Sequence, residues 1–362
     1  MSTRRRGVLP EPVGGESARE PFPASPLEAL ASAFSDAVNL LLNPFALPRW
    51  IRLSAVCLFL GGGATSAAFQ WSLSTLPDEV AFQDALFRLR AYIAQHTWLI
   101  LLSTAVGLSL AVVMVYLRAV CRFVLVDSIL REEIRIRRAL AEVRPLAHSY
   151  FFWLLGALGI VGTVLGVGIL LMLPFWHLAS SQGESLAYLL AETAVLATQV
   201  LVGLAFAVVI ILTDDLAVPV MYVERLPLLA AWQKLWRIIS AEAGTFTLYV
   251  VLRLVVAVAV GIAVLFVLFP ALVVFFSGAI MAAALVVLVL HLAGGAWVWT
   301  PVTIVLAALA LVLLIGLLLL LLGVAGMPGQ VLLQSFGMRF LASRVPALDA
   351  LWRTLPLRSS QE

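Results

Sequence analysis

The sequence predicts an all-α integral membrane protein: six transmembrane helices arranged as three repeated helix-hairpin units, with cytoplasmic interfacial helices and one re-entrant or outer interfacial segment. Three observations lead there. The 362 residues are 63% hydrophobic and 12% charged, with mean hydropathy +1.07; soluble domains hold roughly 45–50% and about 25%. Apolar runs recur that can cross ~30 Å of hydrocarbon, which takes roughly 20 residues each, and none shows the alternating strands of a barrel. Of the 23 basic residues, all but Arg88, Arg90 and Arg253 fall on the side that alternation of the crossings makes cytoplasmic. The net charge of +3 therefore reflects orientation in a membrane, and nucleic acid is not an expected partner.

Residues 1–25 are rich in Pro, Gly, Glu and Arg and are expected to form a disordered cytoplasmic tail. Arg4, Arg5 and Arg6 do not begin a signal peptide, because Pro10, Glu11 and Pro12 follow where an apolar region belongs. Ser25, Pro26 and Glu28 form the start of a helix, with a capping Ser, a first-turn Pro and a capping-box Glu. That helix, to about Leu42, is expected to lie at the interface on a face of Leu27, Leu30, Phe34, Val38 and Leu41.

The spans are expected at residues 53–73, 98–117 (its helix reaching Val126), 150–173, 186–212, 246–269 and 301–327. Between the second and third, residues 129–144 read as a surface helix, with Ile129, Ile136, Leu140 and Val143 opposite Arg131, Arg135, Arg138 and Glu142. Pro145 is expected to break it, and Pro174 to stop the third span. A second surface helix, residues 228–240, places Leu228, Trp232, Leu235, Trp236 and Ile239 opposite Gln233, Lys234 and Arg237. Residues 270–292 are apolar enough to span. A seventh crossing would carry Arg339, Arg344, Arg353 and Arg358 outside, against the charge bias, so this stretch is expected to re-enter or lie at the outer interface. Residues 26–345 then form the bundle and residues 346–362 a cytoplasmic C-terminal tail. Three units, starting near Pro26, Ser128 and Leu226, share one plan: surface helix, outgoing span, outer segment, returning span.

That plan resembles the membrane domain of bacterial glycerophosphoryl diester phosphodiesterases and its stand-alone relatives. The resemblance is carried by Arg122-Phe123-Val124-Leu125-Val126-Asp127, by Asp214-Asp215-Leu216-Ala217-Val218-Pro219-Val220-Met221, and by Met327-Pro328-Gly329-Gln330-Val331 with residues 336–341. It covers about residues 30–345. It implies a six-helix bundle and a bacterial plasma membrane, but no activity: phosphodiester chemistry in that family belongs to a separate soluble barrel, for which this chain is expected to have no room.

Enzyme motifs do not survive inspection. Glu132, Glu133 and Arg137 match the first element of intramembrane CAAX-type proteases. Those enzymes also need His preceded by Phe at four residues' distance, and Tyr92, Arg144, Leu173 and Val287 stand before His96, His148, His177 and His291. No zinc-protease, serine-hydrolase or phosphate-loop pattern occurs, and neither a metal nor a cofactor is expected. Cys57 and Cys121 form no metal pattern. Arg253 lies roughly 10 Å into the fifth span, where an ionised residue is a functional hypothesis by default. It is expected to pair with Asp127, Asp214 or Asp215 and so pin the surface helices, or else to snorkel. Glu192 and Gln199 share a face of the fourth span and are expected to bond a neighbouring helix. The expected role is therefore a non-enzymatic scaffold or accessory protein with both termini cytoplasmic. It would bind anionic headgroups, a protein partner or a second copy through Arg131, Arg135, Arg138, Trp232, Lys234, Trp236 and Arg237. Transport of a lipid or amphiphile is the alternative.

Overall fold

The computed structural model describes residues 25–42, 46–60, 95–131, 136–182, 186–292 and 301–354, and every regular element among them is helical. Five helical stretches are long and apolar enough to cross a membrane: Thr97–Arg131, Val143–Gly168, Thr193–Glu224, Ala243–Leu288 and Ala307–Ala342. The chain is a multi-pass membrane protein. Its most apolar windows are almost wholly exposed on the protein surface, with Trp98, Leu108, Leu201, Phe266 and Leu313 among the bared side chains. Apolar area on this scale is tolerable only against lipid. The buried core lies instead at one end of the bundle, here called the base.

Helix α1 (Pro26–Leu42) starts as its sequence demands, with Ser25 Oγ accepting the Glu28 N–H at 3.2 Å. Its far end is closed by the next element. Trp50 Nε1 donates to the Leu41 carbonyl at 2.8 Å and Arg49 to that of Leu40 at 3.2 Å, so two carbonyls left without helical partners are satisfied. The face turned to the protein is a second one. Ala29, Ala33 and Ala37 pack inward with Leu40 and Leu41, whereas Leu27 and Phe34 are 63% and 62% exposed. A row of alanines at every fourth residue lets α1 approach the last long helix closely, which the bulkier row would prevent.

Helix α2 (Leu47–Phe59) begins the expected first span; the rest of that span lies outside the described residues. Helix α3 (Thr97–Arg131) exceeds its predicted end, and residues 119–130 are built into the base. The expected surface helix over residues 129–144 is not a separate element. Ile129 and Leu130 are buried at the end of α3, and α4 (Ile136–Gln182) runs unbroken through Pro145 and Pro174. A proline inside a helix frees one carbonyl; Pro145 is exposed, so that carbonyl can turn outward. What commits α4 to the base is a stripe of Val143, Ala147, Tyr150 and Leu154, spaced to share one face.

Helix α5 (Leu186–Leu212) coincides with the fourth expected span. A π-turn (Thr213–Ala217) joins it to α6 (Val218–Glu224). Arg225 ends α6 in the left-handed region at φ 56, normally a glycine position, and Pro227 follows. Helix α7 (Leu228–Ala241) is the second surface helix. It buries Leu228, Ala231 and Leu235, but Trp236 stands 63% exposed on its outer side with Leu229.

Helix α8 (Ala243–Leu292) holds 50 residues, about 75 Å at the helical rise. Residues 270–292 neither re-enter nor turn along the interface; they continue the fifth span through Pro270. Re-entry needs a reversal, and the stretch offers only Ser277-Gly278 as turn chemistry. Helix α9 (Pro301–Ala342) likewise passes Pro328. Val331, Phe336, Met338, Phe340 and Leu341, beyond the expected end of the last span at 327, are core residues. Helix α10 (Pro346–Thr354) packs Leu348 into the same core.

The long helices form an arc in the order α8, α9, α2, α3, α4, α5, each touching the next. Among the described residues, α5 and α8 at its two ends make no comparable contact and are joined through the base. Gly323 marks a close backbone approach in the arc, since a Cβ there would lie 2.8 Å from the Ser54 carbonyl oxygen. Gly323→Ala should lower the thermal midpoint in detergent, by about 1–3 kcal/mol of overpacking. Gly316→Ala, with nothing within 4 Å, should leave it unchanged or raise it.

Candidate functional site

The base is organised around two consecutive carboxylates. Successive side chains on a helix point about 100° apart, so Asp214 and Asp215 reach different neighbours. Asp214 accepts a hydrogen bond from Tyr150 OH of α4 and from Arg118 of α3, whose Nη2 lies 3.3 Å from Oδ2. Asp215 accepts from Arg122 of α3 at 2.8 Å, and from Arg253 Nε and Tyr249 OH of α8 at 2.5 and 3.2 Å. Arg118 and Arg122 are four residues apart, as are Tyr249 and Arg253, so each pair shares a helix face.

The π-turn makes this geometry. Its backbone bonds run five residues back, as from the Val218 N–H to the Thr213 carbonyl. In that register the Asp214 carbonyl faces Pro219, which has no N–H to give. Arg122 Nε supplies the missing donor at 3.4 Å, and so serves both the backbone of one aspartate and the side chain of the other. Gly337 of α9 completes the packing: a Cβ there would meet the Asp215 carbonyl oxygen at 2.7 Å.

The charges nearly balance. Asp215 is fully buried, Arg122, Arg253 and Asp214 almost so, and these four cancel; Arg118, the additional cation, is also the most exposed at 35% of its side chain. Both carboxylates are engaged by guanidinium and phenol donors. A cluster so arranged holds helices together.

A second, smaller cluster lies beside it. Asp127 Oδ1 accepts from Tyr222 OH of α6 and from Arg131 Nε, the latter at 2.8 Å. At the rim, Arg339 grips Asp36 through two bonds of 2.5 and 2.6 Å and stacks over Trp352 at 4.5 Å. Arg344 reaches Glu242 at 2.8 Å, and Lys234 pairs with Glu224.

The structure thus joins Arg253 to Asp215, one of its expected partners, and leaves Asp127 in the other cluster. Arg131 engages Asp127 rather than standing clear on a solvated face. Arg135 lies outside the described residues, as does the side chain of Arg138. Trp232 is half-buried, while Trp236 and Arg237 are exposed, and Arg237 has no ion-pair partner among the described residues. The amide of Gln199 fills the space that a side chain at Gly168 would take, so it seals α4 against α5; the side chain of Glu192 lies outside the described residues. Sequence reasoning missed Arg118, Arg122, Tyr150, Tyr222 and Tyr249. The available signals were an Arg-x-x-x-Arg and a Tyr-x-x-x-Arg spacing inside otherwise apolar runs. Among the described residues no group of His, Cys, Asp and Glu could hold a metal.

Removing one member of a buried ion pair strands the other. Asp215→Asn should cost roughly 3–5 kcal/mol, read as a large fall in the detergent thermal midpoint, and Arg118→Gln much less. Adding Arg253→Met to Asp215→Asn should recover part of the loss. The opposite sign is expected at Gln334, which is fully buried with neither amide atom partnered among the described residues. There Gln334→Met should raise the midpoint, by removing a desolvation cost of about 1–3 kcal/mol.

A protein-family model described as "Family of unknown function (DUF7544)" matches residues 24–351. No curated protein and no solved structure matches the chain.

Proposed function

The chain belongs to that family of unknown function, and we propose that it is a non-enzymatic membrane scaffold or accessory protein, with its base at the inner leaflet of a bacterial plasma membrane. The observation that carries this reading is the engagement of Asp214 and Asp215 by neighbouring helices. Each carboxylate has two guanidinium neighbours and a tyrosine, so the cluster is committed to interhelical pairing. A transporter would be expected to gather unsatisfied polar groups at mid-membrane on broken helices. Here the long helices run continuously, and Gln199 is spent on interhelical packing.

In this proposal the protein crosses the membrane six times, α2 opening the first crossing, and both termini are cytoplasmic. The three hairpin units close on one another through the base, and their arginines follow the positive-inside bias. The likeness to the glycerophosphoryl diester phosphodiesterase membrane domain fits the same layout without that family's catalytic barrel.

The interaction surface is α7. Leu229 and Trp236, seven residues apart, share its outward face at 69% and 63% exposure, with Arg237 beside them. Aromatic and basic side chains together suit the headgroup layer or a partner docked there. Arg131, Arg339 and Arg344 are engaged in the core and rim pairs, which leaves α7 as the described helix that turns aromatic and basic side chains outward together.

A photo-crosslinking residue at Trp236, in native membranes, should capture anionic lipid or one specific protein, and Leu229→Ala with Arg237→Glu should reduce the yield. Proteoliposomes of the pure protein should show neither lipid scrambling nor amphiphile flux. Flux that disappears with Arg253→Ala in folded protein would establish the transport reading instead.

A further inference from the structure

A groove of about 620 Å³ opens between α1, α8 and α9. Leu27, Leu30 and Phe34 form one wall, and Val256, Ala259, Val260 and Ala263 the other, with Leu332 among the remaining lining residues. The α8 residues at 256, 259, 260 and 263 follow one helical face, and they start one turn beyond Arg253 on the apolar side of the base. The Leu27 and Phe34 row, the apolar face expected at the membrane interface, lines this groove and is largely exposed.

We propose that the groove holds one acyl chain of a membrane phospholipid. Every lining side chain named is hydrocarbon, so an extended peptide laid there would leave its N–H and C=O groups unsatisfied. The groove also merges with lipid-facing surface, since Val255, Val258 and Ile262 beside it on α8 are all half or more exposed. A lipid tail enters it without leaving the bilayer. In this role α1 is a clamp: its alanine row grips α9, and its Leu and Phe row covers the chain. The inference does not rest on the scaffold reading, because the α7 surface takes no part in it.

The test uses the full-length protein in nanodiscs of phosphatidylcholine and phosphatidylglycerol, carrying a phospholipid with a diazirine on its acyl chain. After illumination, label should concentrate on peptides covering residues 27–34 and 256–263. It should exceed that on residues 264–288, whose exposed Leu265, Phe266, Val274 and Met281 report ordinary lipid contact. Ala259→Phe with Ala263→Phe should abolish the enrichment while leaving the α7 crosslink unchanged. If that pair does not fold, Ala31→Phe fills the groove from the α1 side and should do the same. Uniform labelling along α8 would overturn the proposal. So would a crosslink from residue 31 to residues 1–24, or to a second copy, in place of lipid.

Discussion

Two adjacent ionised carboxylates cannot be buried at a membrane boundary unless cations are brought to them, and most of the base is arranged to do this. Asp214 and Asp215 draw in α3 through Arg118 and Arg122, α4 through Tyr150, and α8 through Arg253 and Tyr249. The π-turn makes two consecutive residues usable by separate helices, and Pro219 makes Arg122 necessary to the backbone as well as to the side chains. In a low-dielectric site such pairs gain little over a well-packed apolar core, but they are costly to break. Their effect is to specify which helices meet and in what register.

The contrast between base and outer bundle follows from the solvent on each side. Where water reaches the protein, apolar side chains must pack on one another, and they do so in a continuous core from α1 to α10. Farther out, lipid replaces water, no hydrophobic force drives helix against helix, and the same kinds of side chain remain exposed. Close approaches there include the Gln199 amide against Gly168. The continuous helix through Pro270 belongs to the same regime, since lipid tolerates a freed carbonyl only where local geometry or a neighbour meets it, and straight apolar sequence gives the chain no means to turn.

A rigid, internally neutralised base with an exposed Leu229 and Trp236 row suits a protein that presents a surface. Part of this was readable beforehand. Arg253 stood out because a lone charge in an apolar run demands a partner, and the paired aspartates ending the fourth span were the obvious place. Arg118 and Arg122 were less visible, because arginines near a span end are also what orientation in the membrane requires, and the two causes look alike in sequence. The tyrosines were fainter still, with only the four-residue spacing of Tyr249 and Arg253 to mark one of them: a phenol in an apolar run packs like any aromatic until the helix beside it supplies a carboxylate.

Sequence alone determined the solvent, the helical class and the approximate positions of the long helices, since these depend on composition and on runs of about 20 residues, which need no knowledge of neighbours. Only the tertiary structure decided that α1 turns its alanines inward, that the arginine-rich stretch after α3 divides between two long helices, and that Gln334 is buried while Trp236 is not. Each of those choices compares two apolar or two polar faces of one helix. Lipid and protein interior offer a hydrocarbon side chain nearly the same free energy, so periodicity cannot rank the faces, and the shape of the neighbouring helix settles the matter.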